Sequence, residues 1–148
     1  METKVKHLAI LLVLIFPNFV LAGDEISLFS GSGDAAAYID ISEELTIYLW
    51  SGEPVAYLSE DNLGGYHVYG FNGKHLGWFV GGAIRDHKGD AACATKEIMN
   101  STKYEPYKAY KQYKAYKAYK EYAPYRPSFS NNFGQIPCNF LLASGSTE

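Results

Sequence analysis

Four glycines, Gly33, Gly52, Gly73 and Gly89, each stand at the centre of the same short pattern, and that repetition limits the folds open to this chain. Five residues before each glycine stand Leu28, Ile47, Val68 and Ile84, all aliphatic. Four after it stand Ala37, Ala56, Gly77 and Cys93, all small. Five after it come Tyr38, Tyr57 and Trp78, with Ala94 breaking the aromatic run. Ser32, Ser51, Asn72 or Lys88 precedes the glycine, which suits a tight turn because glycine accepts positive φ. The pattern predicts four β-hairpins. A lone hairpin is marginal in water, so the four must bury their apolar faces against one another.

Two-residue turns would set the pairing register. Ile47 then faces Ala56, Tyr48 faces Val55, and Trp50 faces Glu53. Val68 faces Gly77, Tyr69 faces Leu76, and Phe71 faces Lys74. In the last unit Ile84 faces Cys93, Arg85 faces Ala92, and His87 faces Asp90. Side chains alternate between faces along a strand. One face therefore carries the aliphatic and small residues. The other carries Tyr48, Trp50, Tyr57, Tyr69, Phe71 and Trp78, with charges near the turns. The repeated small position predicts close backbone approach where the hairpins meet.

The runs IYLWSGEPVAYL, VYGFNGKHLGWF and AIRDHKGD resemble the bacterial four-fold β-flower domain, over roughly residues 45–95. The resemblance implies an all-β fold with a pseudo-four-fold arrangement of hairpins in a small secreted or envelope-associated protein. It implies no activity and carries over no catalytic residue.

Along the chain, residues 1–22 read as a signal peptide. Lys4 and Lys6 supply the positive start, residues 8–16 the apolar stretch, and Ala22 the cleavage site. The apolar run is short for a membrane span, and no second one follows. The expected product is exported to the periplasm, cell surface or exterior. The hairpin domain occupies 23–102, with residues 59–65 expected as a loop and Gly81-Gly82 as a link between the third and fourth units. Four units in one chain make a monomer sufficient.

At Lys103 the composition changes. Tyr104, Tyr107, Tyr110, Tyr113, Tyr116, Tyr119, Tyr122 and Tyr125 fall at every third residue, and Lys108, Lys111, Lys114, Lys117 and Lys120 directly follow five of them. An α-helix would carry that spacing round its whole surface. A polyproline II helix has three residues per turn and would hold the tyrosines on one edge. Residues 103–127 are therefore read as a semi-extended, solvated arm. The runner-up is a helix from 107 to 122, since Ala, Lys, Gln and Glu are good helix formers. The charges divide in the same place. Residues 23–102 hold twelve acids and four bases (net −8), and residues 103–127 seven bases and two acids (net +5). Such an arm can fold back onto its own domain or be offered to acidic partners.

The tail, 128–148, has one apolar piece at 135–142, which can dock on the hairpin domain. Cys93 and Cys138 allow one disulfide in an oxidising compartment, and the alternative is two independent thiols.

Candidate chemistry is sparse. His67, His75 and His87 lie near turns and read as solvent-exposed, and no metal site or cofactor is expected. No HExxH, CxxC, GxSxG or phosphate-loop pattern is present. The leading expectation is a non-catalytic structural and binding module of the cell envelope. Its contacts would be the arm residues Tyr107, Tyr110, Tyr113, Tyr116 and Tyr119 with the five lysines, and the aromatic face of Tyr48, Trp50, Tyr69, Phe71 and Trp78, unless those rings instead fill the gaps between hairpins as core, which is the favoured reading of them in a small β domain. Its partners would be an anionic envelope polymer, a polysaccharide or another envelope protein. Nucleic acid is excluded on compartment grounds. The competing expectation is a small periplasmic enzyme or metal-dependent protein that uses His87, Asp86 and Asp90.

Overall fold

Eight strands form in sequence order: β1 (Glu25–Phe29), β2 (Ala35–Asp40), β3 (Thr46–Leu49), β4 (Pro54–Glu60), β5 (Tyr66–Gly70), β6 (His75–Val80), β7 (Ala83–Arg85) and β8 (Ala91–Ala94). The structure, a computed structural model, describes residues 24–147, so the expected signal peptide lies outside the described residues. Each strand pairs antiparallel with the next, and β8 returns to β1 through Phe29 and Ala94. The result is a closed barrel of four hairpins, in which each described strand has a neighbour on both sides.

All four turns share one geometry, and it is not the two-residue turn expected. In the second hairpin Gly52 N–H donates to Leu49 O at 2.8 Å, and Leu49 N–H to Glu53 O at 2.8 Å. The same pair of bonds recurs at Ser30, Gly70 and Asp86. This is a tight turn followed by a bulge, with the glycine in the bulge at φ of +89° to +93°. The register is as expected up to the bulge: Leu28 faces Ala37, Ile47 faces Ala56, Val68 faces Gly77 and Ile84 faces Cys93. It then slips by one, so Tyr48 faces Pro54 rather than Val55, Tyr69 faces His75 rather than Leu76, and Arg85 faces Ala91 rather than Ala92. Trp50 with Glu53, Phe71 with Lys74 and His87 with Asp90 are turn and bulge positions, not strand pairs. The extra residue resets the alternation, so Val55 and Ala56 both enter the core. The expected loop at 59–65 also shortens, because β4 continues through Glu60.

The barrel interior is aliphatic: Leu28, Ile39, Ile47, Val55, Val68 and Ile84 are fully buried. The small position sits where space is least. A Cβ at Gly77 would collide with the Arg85 carbonyl on the neighbouring strand. A short helix, α1 (Cys138–Ala143), completes the core. It presents Cys138, Leu141 and Leu142 to the barrel interior and leaves Phe140 in solvent. Cys93 and Cys138 form a disulfide that joins β8 to α1 and closes a loop through the whole arm.

Candidate functional site

The outer wall of the barrel carries aromatic rings where neighbouring hairpins meet. Between the first and second hairpins, Tyr38 stacks on Tyr48 at 5.5 Å, with Trp50 edge-on to Tyr38 at 5.8 Å. Between the second and third, Tyr57 lies 6.3 Å from Tyr69 and 5.5 Å from Phe71. These are the same repeat positions one unit apart. Between the third and fourth, Trp78 keeps its place, His87 takes the slot of Trp50 and Phe71, and Arg85 takes the slot of Tyr48 and Tyr69.

The arm covers these rings. It has no helix or strand of its own over 103–130 and is pinned by its backbone to the turns. The N–H groups of Lys103, Gln112, Glu121 and Ser130 donate to the carbonyls of Gly33, Gly52, Gly73 and Gly89, each at 2.9 Å. The donors are nine residues apart and the acceptors are the four turn glycines. Nine residues of arm therefore span one hairpin. Contact is close enough that a Cβ at Gly52, Gly73 or Gly89 would collide with the carbonyl of Tyr110, Tyr119 or Ser128. At those three glycines the turn and the arm both exclude a side chain.

Spacing of three, within a phase of nine, sorts the arm's side chains. The lysines turn inward. Lys108 lies 4.5 Å from the Tyr38 ring centre and 5.1 Å from Trp50, and also pairs with Glu25. Lys111 stands over Tyr38 and Tyr48 and bridges Glu25 and the fully buried Asp40. Lys114 pairs with Glu43 at 3.3 Å and Glu44 at 3.1 Å. Lys117 lies 4.2 Å from the Tyr57 ring centre, and Lys120 lies 5.3 Å from that of Tyr69. Each cation–π contact contributes about 0.5–2 kcal/mol, more where water is excluded. In the third quarter the polarity inverts. Phe129 occupies the arm position nine residues after Lys120, and barrel Arg85 lies 5.2 Å from its ring centre. Cation and ring have changed sides together.

Electrostatics follow this geometry. Burial works to raise Asp40 and Asp61, but hydrogen bonds to Lys111 and Ser42, and to Leu63, Arg126 and Gly65, hold both below the usual carboxylate range. Partial burial would lower Lys111, yet its bonds to Asp40 and Glu25 raise it above an ordinary lysine. Burial pushes Tyr38 up to about 12.

The eight tyrosines point the other way. From Tyr104 to Tyr125 every ring is essentially fully exposed, at 95–102%. The predicted arm contacts thus separate into two sets: Lys108, Lys111, Lys114, Lys117 and Lys120 against the protein's own acidic barrel, and the tyrosines toward solvent. The predicted aromatic face is the arm's seat, with Tyr48, Tyr69, Phe71 and Trp78 buried and Trp50 partly so.

The histidines also depart from expectation. His67 Nδ1 meets His75 Nε2 at 3.0 Å, and His75 Nδ1 meets His87 Nε2 at 3.0 Å. Of the three only His87 is exposed; His75 is buried among Tyr69, Trp78 and the other two rings. Burial, with His87 and His67 adding to it, pushes His75 down to about 4. Asp86 does not serve His87. It accepts from Lys88 N–H at 2.9 Å and Asp90 N–H at 3.1 Å, which shapes the fourth turn. Among the described residues no group of three or more His, Cys, Asp and Glu side chains is arranged to hold a metal ion, and no helix is long and apolar enough to cross a membrane.

Sequence reasoning missed the nine-residue phase, although the signal is present. Residues 104–112, 113–121 and 122–130 read YEPYKAYKQ, YKAYKAYKE and YAPYRPSFS, with Arg126 and Phe129 at lysine positions of the first two. The histidine chain left no such trace, because its members occupy three different repeat positions.

A four-hairpin barrel encircled by its own phased arm defines an all-β, pseudo-four-fold class of protein. The chain belongs to the 4-fold beta flower protein family, whose model matches residues 26–142. That match takes in the arm and most of α1, well beyond residues 45–95, where the sequence resemblance lay. No curated protein and no solved structure matches the chain.

Proposed function

We propose that this protein is an exported, non-catalytic structural and binding module of the cell envelope, and that its contact surface is the tyrosine edge of the arm. The observation that carries this reading is the sorting of the arm: the lysines are engaged by the barrel, and eight tyrosines stand fully exposed. Soluble proteins rarely expose a continuous aromatic stripe without using it. Tyrosine supplies broad amphipathic contact area at low entropic cost, and suits sugar rings or a protein surface. Repeated weak contacts along one rigid edge add through multivalency. The leader expected at 1–22 from the sequence and the Cys93–Cys138 disulfide support an oxidising, exported setting.

Sedimentation of mature protein with isolated envelopes and with peptidoglycan tests the reading. The informative variant changes Tyr107, Tyr110, Tyr113, Tyr116 and Tyr119 to Ser, because deleting 103–127 would strip the barrel's outer layer as well. The native protein should co-sediment and remain bound at high salt, since the arm's cations face inward. The variant should stay in the supernatant with its melting temperature intact. Equal sedimentation of the two, or of neither, removes the tyrosine edge as the contact surface.

A further inference from the structure

The four turns lie at one end of the barrel, and the C-terminal segment crosses that end. It fills the space between the second and third turns, where Gly145 packs on Gly70 and Asn72 donates to the Ser144 and Ser146 carbonyls. It also fills the space between the fourth and first, where Phe133 lies over Gly31. Between the first and second turns it leaves a cleft of about 510 Å³, with Pro137 and Asn139 at its edge.

The cleft's walls differ in character. Trp50, Leu49 and Ala36 line one part of it. The first turn contributes a polar ridge: Ser30 Oγ and Ser32 Oγ are 3.0 Å apart, and Ser32 Oγ donates to Asp34 Oδ2 at 2.8 Å. Because Ser32 gives its proton to Asp34, its oxygen is set to accept from Ser30. The ridge is therefore oriented before any ligand arrives. Trp50 is likewise held, its indole N–H donating to Pro106 O at 3.0 Å. The exposed side chain of Asn139 adds an amide donor and acceptor at the rim.

From this cleft we infer that the protein has a second binding site, for a short neutral saccharide, between its first and second turns. A sugar ring has an apolar face for an indole and a rim of hydroxyls for serine, carboxylate and amide groups, and this cleft offers both. The volume lies in the roughly 300–1,000 Å³ range of small-molecule sites. Lys103 pairs with Asp34 at 3.1 Å from outside the cleft, and among the described residues no cation lines the cleft itself, so it offers phosphate and other anions no partner. The open mouth and mixed lining, with Ser30, Ser32, Asp34, Ser51 and Asn139 among the apolar residues, disfavour a lipid chain, which needs an enclosed apolar channel. The site shares no residue with the tyrosine edge, so the two stand or fall separately.

Titration of full-length mature protein with di-N-acetylchitobiose, cellobiose and maltose, followed by the Trp50 indole N–H resonance, is the test. At least one sugar should shift that resonance saturably. Asn139→Ala and Asp34→Asn should each weaken binding roughly tenfold, a loss of about 1.4 kcal/mol. The five-tyrosine variant should bind as the native protein does. Absence of a saturable shift with all three sugars overturns the inference. So does binding unchanged in the Asn139→Ala, Asp34→Asn double variant while its spectrum stays folded. Binding lost only in the tyrosine variant places the sugar on the arm and also overturns the cleft.

Discussion

The inside and the outside of this barrel are held by different physics. Inside, Leu28, Ile47, Val68 and Ile84 meet small residues and α1, and the stabilisation is burial of aliphatic surface, which is non-directional. Outside, the arm is held by backbone bonds at four fixed points, by lysines over rings and by ion pairs, all of which depend on register. The inner layer tolerates change of shape at roughly constant volume. The outer layer works only if each ninth residue reaches its glycine. The third quarter shows how it varies without failing: Arg85 and Phe129 exchange roles together and preserve the contact.

The largest test of this division breaks the covalent link between the layers. Cys93→Ser should cost up to about 4 kcal/mol by the loop-closure argument, read as a lower urea midpoint. Arm amides such as Gln112 and Glu121 should lose exchange protection before those of β3 and β4. Simultaneous loss would show that the two layers form one cooperative unit.

Acid should loosen the outer layer in two stages. His75 is neutral in the folded state because burial lowers it to about 4, whereas the unfolded form titrates near 6.5. The unfolded chain therefore takes up more protons as pH falls, and stability, full above about pH 6.5, declines toward pH 4. The span is a few kcal/mol at most, and Asp61, Arg126, Lys120 and Glu121 lie around the same chain of rings. His75→Gln should reduce this stage in pH-dependent urea melts and leave the share of His67, which burial also lowers. A second decline, below about pH 4, should remain as Glu25, Asp40 and Asp61, all lowered in the fold, take up protons.

Gly73→Ala should cost about 2–3 kcal/mol, since alanine is strained at φ +89° and its methyl meets the Tyr119 carbonyl. The Glu121 amide should show it first in hydrogen exchange. The smallest effects separate the two edges of the arm. Lys111→Met leaves the buried Asp40 carboxylate with only Ser42 and should cost about 2 kcal/mol, less than a fully buried pair because Lys111 is partly solvated. Tyr116→Ser should fall within about 0.5 kcal/mol of native in thermal melts. A large loss at Tyr116 would mean that the exposed edge also holds the fold.

Much of this architecture is legible in the residues themselves. Glycine phasing and alternation predict the four hairpins and their aliphatic face, because both are local and periodic. The period of three argues against a helix at 103–127, and the structure has none there. The turn type is not legible in the sequence, because a small or polar residue before glycine suits both a two-residue turn and a turn with a bulge. Only the ladder bonds at Leu49 and Glu53 distinguish them.

By itself the sequence determined the repeat unit, the acidic and basic halves and the two cysteines able to pair, since each follows from composition, period or count. Tertiary structure alone decided that the barrel closes, that the lysines face in while the tyrosines face out, and that three histidines from different repeat positions meet. Those outcomes depend on which distant surfaces come together. Closure of the sheet sets the spacing of the turn glycines in space, and the arm's nine-residue phase acquires its meaning against that spacing.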